Sequence, residues 1–226
     1  MSQIMTTNYN DFSFFDTQKV FSYYKLPRDI MPASLAAIRS MLPSTADLSR
    51  PVHYKFPADL LNKEFIAMLD SIGAEVGHAE VFYRAGQGQD LDSVIHTDSH
   101  EIFPGLAKIN YITGGEKNLM KWYRPRVPFT EKNLYKTPIG TKYISFPRED
   151  CDVYDQVDMQ GTYIVNAAIP HSVEMTNGSL ESPRICISVT PRLKGQITNM
   201  GCNDLKMRLD QYFADPKRSN NSSMDV

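Results

Sequence analysis

Two histidines and one aspartate carry the strongest chemical signal in the sequence. His96 and Asp98 are separated by one residue in VIHTDSH, and on a β-strand this spacing places both side chains on the same face. The pair is therefore suited to bind one metal ion together. The chain has five histidines, and another of them, His171, lies in a later segment that is also predicted to be a strand. Arg184 follows on the next predicted strand.

These residue types indicate a particular ligand chemistry. Two neutral imidazoles and one carboxylate can occupy one face of an octahedral ion and leave three positions open, as in non-haem Fe(II) oxygenases. The open positions can hold a bidentate 2-oxoacid and O₂. Arg184 would suit the distal carboxylate of a dicarboxylate cofactor, because a planar guanidinium offers paired donors and keeps its charge.

The order of these residues resembles that of the Fe(II)/2-oxoglutarate-dependent dioxygenase superfamily. The likeness is to its compact prolyl-hydroxylase-like branch, whose members also occur in phage genomes, and it covers about residues 75–192. In that branch a Tyr-x-x-Gly precedes the His-x-Asp, and Tyr83 and Gly86 match it. A later strand of the branch carries a tyrosine that contacts the cofactor, and INYIT places Tyr111 there. A hydroxyl residue after the arginine of the branch corresponds to Ser188.

The resemblance implies roles for these residues. His96, Asp98 and His171 would be the catalytic residues that hold Fe(II). The residues expected to bind 2-oxoglutarate are Arg184, Tyr111, Tyr83 and Ser188. The reaction would hydroxylate an unactivated C–H bond of a peptidyl proline, or else of a free amino acid or small metabolite, with release of succinate and CO₂ and with ascorbate as a reductant. Because Asp98 is intact, hydroxylation is favoured over halogenation.

Other interpretations of the same residues stay open. His100 continues the alternation of His96 and Asp98, so it is an alternative ligand to His171 in a cupin-like metal enzyme. Such an enzyme would not need an arginine for a distal carboxylate. A non-catalytic jelly-roll binding module would need neither His171 nor Arg184 beside Asp98.

Two further features have less specific interpretations. His53 and His78 have no partner pattern and are expected to be structural or surface residues. The segment KWYRPRVPF, which contains Trp122, is aromatic and basic. It suggests either stacking on single-stranded nucleic acid, which we expect to be the less favoured case, or a substrate cleft with a lid over 124–137.

Hydrophobic periodicity predicts the elements that must position these residues. Helical spacing predicts helices over 32–42, over 57–73 and from 203 or 204 onward. A period of two, with Gly, Asn, Asp, Ser and Pro between the segments, predicts short strands. These strands lie near residues 76–84, 93–98, 106–112, 119–124, 139–146, 161–167, 171–177 and 184–190.

Strands without intervening helices favour a mainly β (α+β) fold, a double-stranded β-helix or jelly-roll. The N-terminal helices would pack on one sheet, and a C-terminal helix would follow. We expect a single domain over 1–226, with N-terminal support over 1–74 and a catalytic core over 75–192. The C-terminal helix would span 203–214, and the tail over 215–226 is expected to be disordered.

Composition narrows the class of partner. The chain has 226 residues, 42% of them hydrophobic, and a formal net charge of −2, which argues against a nucleic-acid or anionic-membrane partner. The first residues lack a signal-peptide pattern, and no apolar run is long enough to cross a membrane. We therefore expect a cytoplasmic protein, in the host cytoplasm if phage-encoded, that acts on a small-molecule or peptide substrate. Three scattered cysteines are expected to be reduced thiols.

Overall fold

The described part of the chain forms two antiparallel β-sheets and three α-helices. In this computed structural model the described residues are 21–41, 52–84, 94–99, 106–115, 117–128, 130–136, 142–176 and 183–215. The helices are α1 (Leu35–Met41), α2 (Lys63–Ser71) and α3 (Cys202–Ala214). The strands of these ranges, in chain order, are β1 (Tyr23–Lys25), β2 (Val52–Lys55), β3 (Ala74–Arg84), β4 (Ile95–His96), β5 (Ala107–Thr113), β6 (Lys117–Pro125), β7 (Leu134–Lys136), β8 (Lys142–Phe146), β9 (Cys151–Asp158), β10 (Gly161–Asn166), β11 (His171–Thr176) and β12 (Arg184–Leu193).

Each sheet contains six strands, and neighbouring strands are antiparallel. The first sheet has the order β1-β10-β5-β12-β3-β2, and the second has the order β7-β8-β4-β11-β6-β9. The chain changes sheet at each step from β3 to β6, and again at each step from β9 to β12. Because of this alternation, β4 and β11 are neighbours although they lie far apart in the sequence. The prediction of a mainly β fold is confirmed.

Helices cover one face of the first sheet. In α2 the buried residues Phe65, Met68 and Leu69 recur at helical spacing and pack in one cluster with Val81 of β3 and Ile187 of β12. Residues of α1 and α3 belong to the same cluster. Burial of such apolar side chains is the main favourable term that holds the helices on the sheet.

A second cluster lies on the other face of the first sheet. It joins Ile112 of β5 and Cys186 of β12 to Met120 and Trp122 of β6, which belong to the second sheet. The Trp122 ring is fully buried, and its indole N–H donates a 3.2 Å hydrogen bond to the carbonyl of Asn166. The first sheet is therefore apolar on both faces, which explains the continuous burial of β10 and of most of β12.

The helices differ from their predicted bounds at the N-terminal ends. Pro57 is followed by a short 3₁₀ turn (Ala58–Leu60), and α2 begins only at Lys63. The backbone between them is extended, because Asn62 donates hydrogen bonds to the carbonyls of Met31 and Pro32. The C-terminal helix begins at Cys202, one residue before the predicted start.

Four strands were not predicted: β1, β2, β7 and β9. β9 begins at Cys151, within the segment FPREDCD that was predicted to be a turn, and all of its side chains are half-buried or exposed. It lies at the edge of the second sheet and pairs only with β6. An edge strand in contact with water carries polar residues on both faces, so its apolar alternation is weak. The predicted lid over 124–137 includes β7, which pairs with β8.

The described residues also bear on three simpler expectations. The three cysteines are free, and burial raises the pKa of Cys202 to about 12, in keeping with unreactive thiols. None of the helices in the described ranges is long and apolar enough to span a bilayer. The predicted disordered tail lies outside the described residues from residue 216 onward.

Candidate metal centre

Strand pairing brings the two histidines of the site together. His96 of β4 is directly opposite His171, the first residue of β11, and their ring centroids are 4.7 Å apart. Asp98 follows β4, where its backbone N–H donates a 2.9 Å hydrogen bond to the carbonyl of Ala167. The intervening Thr97 is fully buried and accepts a hydrogen bond from the Ile144 N–H. The backbone around the site is therefore fixed from both sides.

The three side chains converge on one small volume. Ligand atoms of His96, Asp98 and His171 all lie within 4.8 Å of one another, and no other such group of metal-binding side chains occurs among the described residues. Asp98 Oδ1 is 3.3 Å from His96 Nε2 and 3.8 Å from His171 Nε2. Adjacent ligand atoms around a transition-metal ion are about 3 Å apart, since each bond is about 2.1 Å long. The group is thus close to the spacing that one ion requires.

Backbone carbonyls set the orientation and tautomer of both imidazoles. His96 Nδ1 is 2.7 Å from the carbonyl oxygen of Val94, and His171 Nδ1 is 2.8 Å from that of Ile169. A carbonyl can only accept, so each Nδ1 carries the hydrogen and each neutral ring keeps its lone pair on Nε2. Metal-binding histidines commonly donate their second ring N–H in this way. The donor set therefore fits a divalent metal ion.

A buried lysine lies on the other side of the aspartate. Lys108 Nζ is 2.7 Å from Asp98 Oδ2 and 3.4 Å from Glu80 Oε2. The other oxygen of Glu80 lies 3.1 Å from His53 Nε2 and 2.9 Å from His78 Nε2. A continuous polar row thus runs from the two half-exposed histidines through Glu80 and Lys108 to the metal-binding group.

Burial and neighbouring charges set the protonation of this row. Burial alone would raise the pKa of Asp98, but the charge of Lys108 and the hydrogen bond from His96 hold it well below the usual range. Burial would lower the pKa of Lys108, but Asp98 and Glu80 raise it. Burial lowers the pKa of His171 to about 4. At neutral pH Asp98 is therefore an anion and His171 is neutral, as metal ligation requires.

For His96 the neighbouring carboxylate outweighs burial, so its pKa is shifted in the opposite direction from that of His171. Burial alone would lower its pKa, but the hydrogen bond and the negative charge of Asp98 raise it above the ordinary value. An imidazolium here is stabilised by the same carboxylate that would bind the metal ion. A proton and a metal ion therefore compete for Nε2 of His96.

An aromatic pair borders the site. The ring of Tyr143 on β8 meets the ring of His96 edge-on at 6.1 Å, and the ring of Tyr135 on β7 stacks on Tyr143 at 5.7 Å. Tyr135 is half exposed. The two rings thus connect the half-exposed Tyr135 to His96, and Tyr135 lies in the 124–137 segment where the sequence suggested a cleft or lid.

Two of the residues expected at the cofactor face the interior of the sandwich. Arg184 and Ser188 lie on β12 with the same alternation as Cys186, which belongs to the cluster between the sheets. Both side chains are buried. Ser188 is opposite Glu80 of β3 in the strand register. Arg184 is about 13 Å further along the strand, at roughly 3.3 Å per residue, and its Cβ lies 3.2 Å from the position that a Cβ on Gly115 would take.

The structure does not bring Tyr83 and Tyr111 to this site. Both pack in the cluster under the helices, on the opposite face of the first sheet. The neighbouring residue Asn110 takes the inward position and pairs in register with Ser188. Its Oδ1 is buried and has no hydrogen-bond partner among the described residues. Both tyrosines expected at the cofactor therefore lie on the helix-covered face of the first sheet and not beside the metal-binding group, because strand side chains alternate between the two faces.

Other predicted residues fall elsewhere. His53 and His78 are surface residues bound to Glu80, as their lack of a pattern suggested. His100 and Gly86 lie outside the described residues. Trp122 is buried in the core, so it offers no face for a nucleic-acid base. Sequence reasoning missed Lys108, although the alternation of Lys108, Asn110 and Ile112 in AKINYIT could have indicated a polar inward face.

Comparisons with known proteins add little. No protein-family model and no curated protein matches the chain. Peruvianin-I, a cysteine peptidase from Thevetia peruviana latex, is similar in structure at 12% identity and a TM-score of 0.34, over 74% of this chain and 81% of that chain. E. coli ycfD is similar at 9% identity and a TM-score of 0.41, over 95% of this chain. This chain covers only 60% of the ycfD chain. Likenesses at these TM-scores carry no argument about fold or function.

Metal affinity should fall as the pH falls, because a proton must leave His96 before a metal ion binds. Below the raised pKa of His96, we expect the affinity to fall about tenfold per pH unit. Titration with Co(II) from about pH 8 to about pH 5.5 measures this effect. A Lys194→Ala variant, changed in an exposed pair with Asp70, should give the same profile, and a pH-independent affinity would contradict the account.

Glu80 should stabilise the fold in a pH-dependent way. Burial alone would raise its pKa, but hydrogen bonds from His53 and His78 and the charge of Lys108 lower it from 4.5 to about 2. A depressed pKa stabilises the folded state fully above the unfolded value, and this contribution is lost as the pH falls through the folded value. Glu80→Gln should therefore lower the free energy of unfolding by about 1–3 kcal/mol at neutral pH.

Urea denaturation over a pH series provides the measurement for Glu80→Gln. The difference from wild type should shrink between pH 4.5 and pH 2, the two pKa values of Glu80. Glu75→Gln on the same strand is the control, because Glu75 forms a half-exposed pair with Arg192 and should contribute less than about 1 kcal/mol. Equal losses for the two variants would show that Glu80 is an ordinary surface carboxylate.

Proposed function

We propose that this protein is an Fe(II)- and 2-oxoglutarate-dependent oxygenase. One observation carries the proposal: His96 Nε2, Asp98 Oδ1 and His171 Nε2 face one another, while both Nδ1 atoms are bound to backbone carbonyls. Two imidazoles and one carboxylate on one side of an ion are the ligand set that leaves open positions for a 2-oxoacid and O₂. These three residues would hold Fe(II).

The strand order supports the proposal. The strands β3 to β6 and β9 to β12 alternate between the two sheets, which is the pattern expected of a double-stranded β-helix or jelly-roll. In that arrangement His96 and His171 come from neighbouring strands of one sheet, and Arg184 comes from the other sheet. A cofactor that reaches from the metal into the sandwich would meet both sheets.

The residues of this chain would divide the work of binding. Arg184 would hold the distal carboxylate of 2-oxoglutarate, and Ser188 would add a hydroxyl to the same interior face. The Tyr135 and Tyr143 rings would bound the substrate entrance and reduce the access of water to His96. When bound, Fe(II) and 2-oxoglutarate would supply the oxidising chemistry that converts a C–H bond to an alcohol, with succinate and CO₂ as by-products.

The substrate class follows from the aromatic pair that borders the site. The apolar faces of Tyr135 and Tyr143 suit an aliphatic side chain or ring, such as a peptidyl prolyl residue or another amino acid, and they add no charge that would select an ionic group. Among the described residues, the charged groups nearest the metal ligands are already paired with one another. An uncharged segment of the substrate would therefore lie at the reacting position.

Anaerobic titration followed by exposure to O₂ tests the proposal. The apo-protein with Fe(II) and 2-oxoglutarate should develop a metal-to-ligand charge-transfer absorption, and O₂ should then yield succinate. His96→Ala should abolish both signals. Lys194→Ala is the control, because Lys194 is an exposed residue paired with Asp70 outside the polar row, and it should retain both. Absence of the absorption and of succinate in the wild-type protein would overturn the proposal.

Arg184→Ala should weaken 2-oxoglutarate binding without a comparable effect on the metal. Loss of a buried, charge-assisted pair of hydrogen bonds should cost about 2–3 kcal/mol, or about 30- to 150-fold in affinity. Calorimetric titration of 2-oxoglutarate against the Mn(II)-loaded protein measures it. Arg192→Ala, on the same strand but in an exposed ion pair, is the control. Equal losses of metal and 2-oxoglutarate affinity would make Arg184 a structural residue.

A further inference from the structure

Lys108 occupies a position that the metal-binding group does not itself require. It is an inward-facing residue of β5, with a side chain only 11% exposed. Its ammonium lies between two carboxylates, 2.7 Å from Asp98 Oδ2 and 3.4 Å from Glu80 Oε2. A lysine is rarely buried unless it is paired. The burial of this one is therefore tied to the metal-binding aspartate.

The two oxygens of Asp98 have different partners. Oδ1 faces Nε2 of His96 and of His171, whereas Oδ2 is turned toward Lys108. An aspartate held in this way can offer an ion only one oxygen. Without the lysine the carboxylate could rotate, so that Oδ1 would no longer be held beside Nε2 of His96 and of His171.

Glu80 fixes the lysine from the opposite side. It comes from β3, two strands away from β5 in the same sheet, and it is itself held by hydrogen bonds from His53 and His78. A free lysine side chain loses about 2 kcal/mol of conformational entropy when it is held in one rotamer. The contact with Glu80 offsets part of this entropy cost, so that the ammonium stays within hydrogen-bond distance of Asp98.

We propose that Lys108 is a positioning residue that holds Asp98 Oδ2, so that Asp98 binds the metal ion through Oδ1 alone, and that Glu80 keeps Lys108 in place. This inference rests on the metal-binding part of the proposed function. It does not depend on 2-oxoglutarate or on the reaction. The positions that Asp98 leaves open on the ion are those that a 2-oxoacid and O₂ would need.

A purely structural role for Lys108 makes a different prediction. If Lys108 served only to neutralise Glu80, removing both charges together would leave Asp98 and the metal site undisturbed. If Lys108 positions Asp98, the loss of both charges still leaves Oδ2 without its partner. The Lys108→Met/Glu80→Met double variant separates these cases, and it avoids leaving an unpaired carboxylate at Glu80.

The test is titration of the full chain with Mn(II) alone, followed by electron paramagnetic resonance, with thermal unfolding to show that each variant is folded. The double variant, whose buried charges sum to the same value as in wild type, should bind Mn(II) about 10- to 100-fold more weakly than wild type, the usual effect of losing a group that orients a metal ligand. Lys108→Arg should recover most of the affinity, because a guanidinium can still donate to both carboxylates.

The outcomes separate this inference from the proposed function. Wild-type affinity in the double variant would overturn the role of Lys108 and leave the metal centre standing. The absence of Mn(II) binding in the wild-type protein would overturn both. The double variant and Lys108→Arg decide the question, because each keeps the charges of this region balanced or paired.

Discussion

The pairing of β4 with β11 is the contact on which the site depends. β4 consists only of Ile95 and His96, and it is held between β8 and β11 in the second sheet. Its pairing places His96 opposite His171, and the hydrogen bond from Asp98 to Ala167 extends the alignment beyond the strand. The entropy cost of closing such a long loop grows slowly with its length. This entropy cost is offset by the burial of the apolar cluster that joins the two sheets.

The site also constrains the fold, because it places charged side chains next to the apolar cluster between the two sheets. Asp98, Lys108 and Glu80 are largely buried, and isolated ions there would be costly. Each is stabilised by a neighbour of opposite charge, and together they carry one net negative charge. A divalent cation between His96, Asp98 and His171 would complete this arrangement electrostatically, so the same contacts that permit the burial of these groups also make the site attractive to a metal ion.

Much of the site could be predicted from sequence, because the spacing of His96 and Asp98 identifies it directly. The His-x-Asp pattern and the lone later histidine remain recognisable whatever the details of strand register, and the structure brings His96, Asp98 and His171 together. The two helices of the N-terminal part and the C-terminal helix were also predicted, since an apolar stripe with helical spacing identifies a helix that covers one face of a sheet.

The face of each strand was harder to predict. β5 lies between helices on one side and the second sheet on the other, so apolar residues occur on both faces and alternation does not distinguish them. For this reason the sequence did not show that Tyr111 lies under the helices, and Lys108 was not recognised. β9 was missed for the opposite reason, because an edge strand in contact with water carries too little apolar pattern.

The central claim is that His96, Asp98 and His171 bind one metal ion, and anomalous diffraction from crystals grown with Mn(II) tests it most directly. The account predicts a single strong peak bonded to Nε2 of both histidines and to Oδ1 of Asp98, with Oδ2 still on Lys108. A peak bonded to neither histidine, or the absence of any peak in this region at saturating Mn(II), would contradict it.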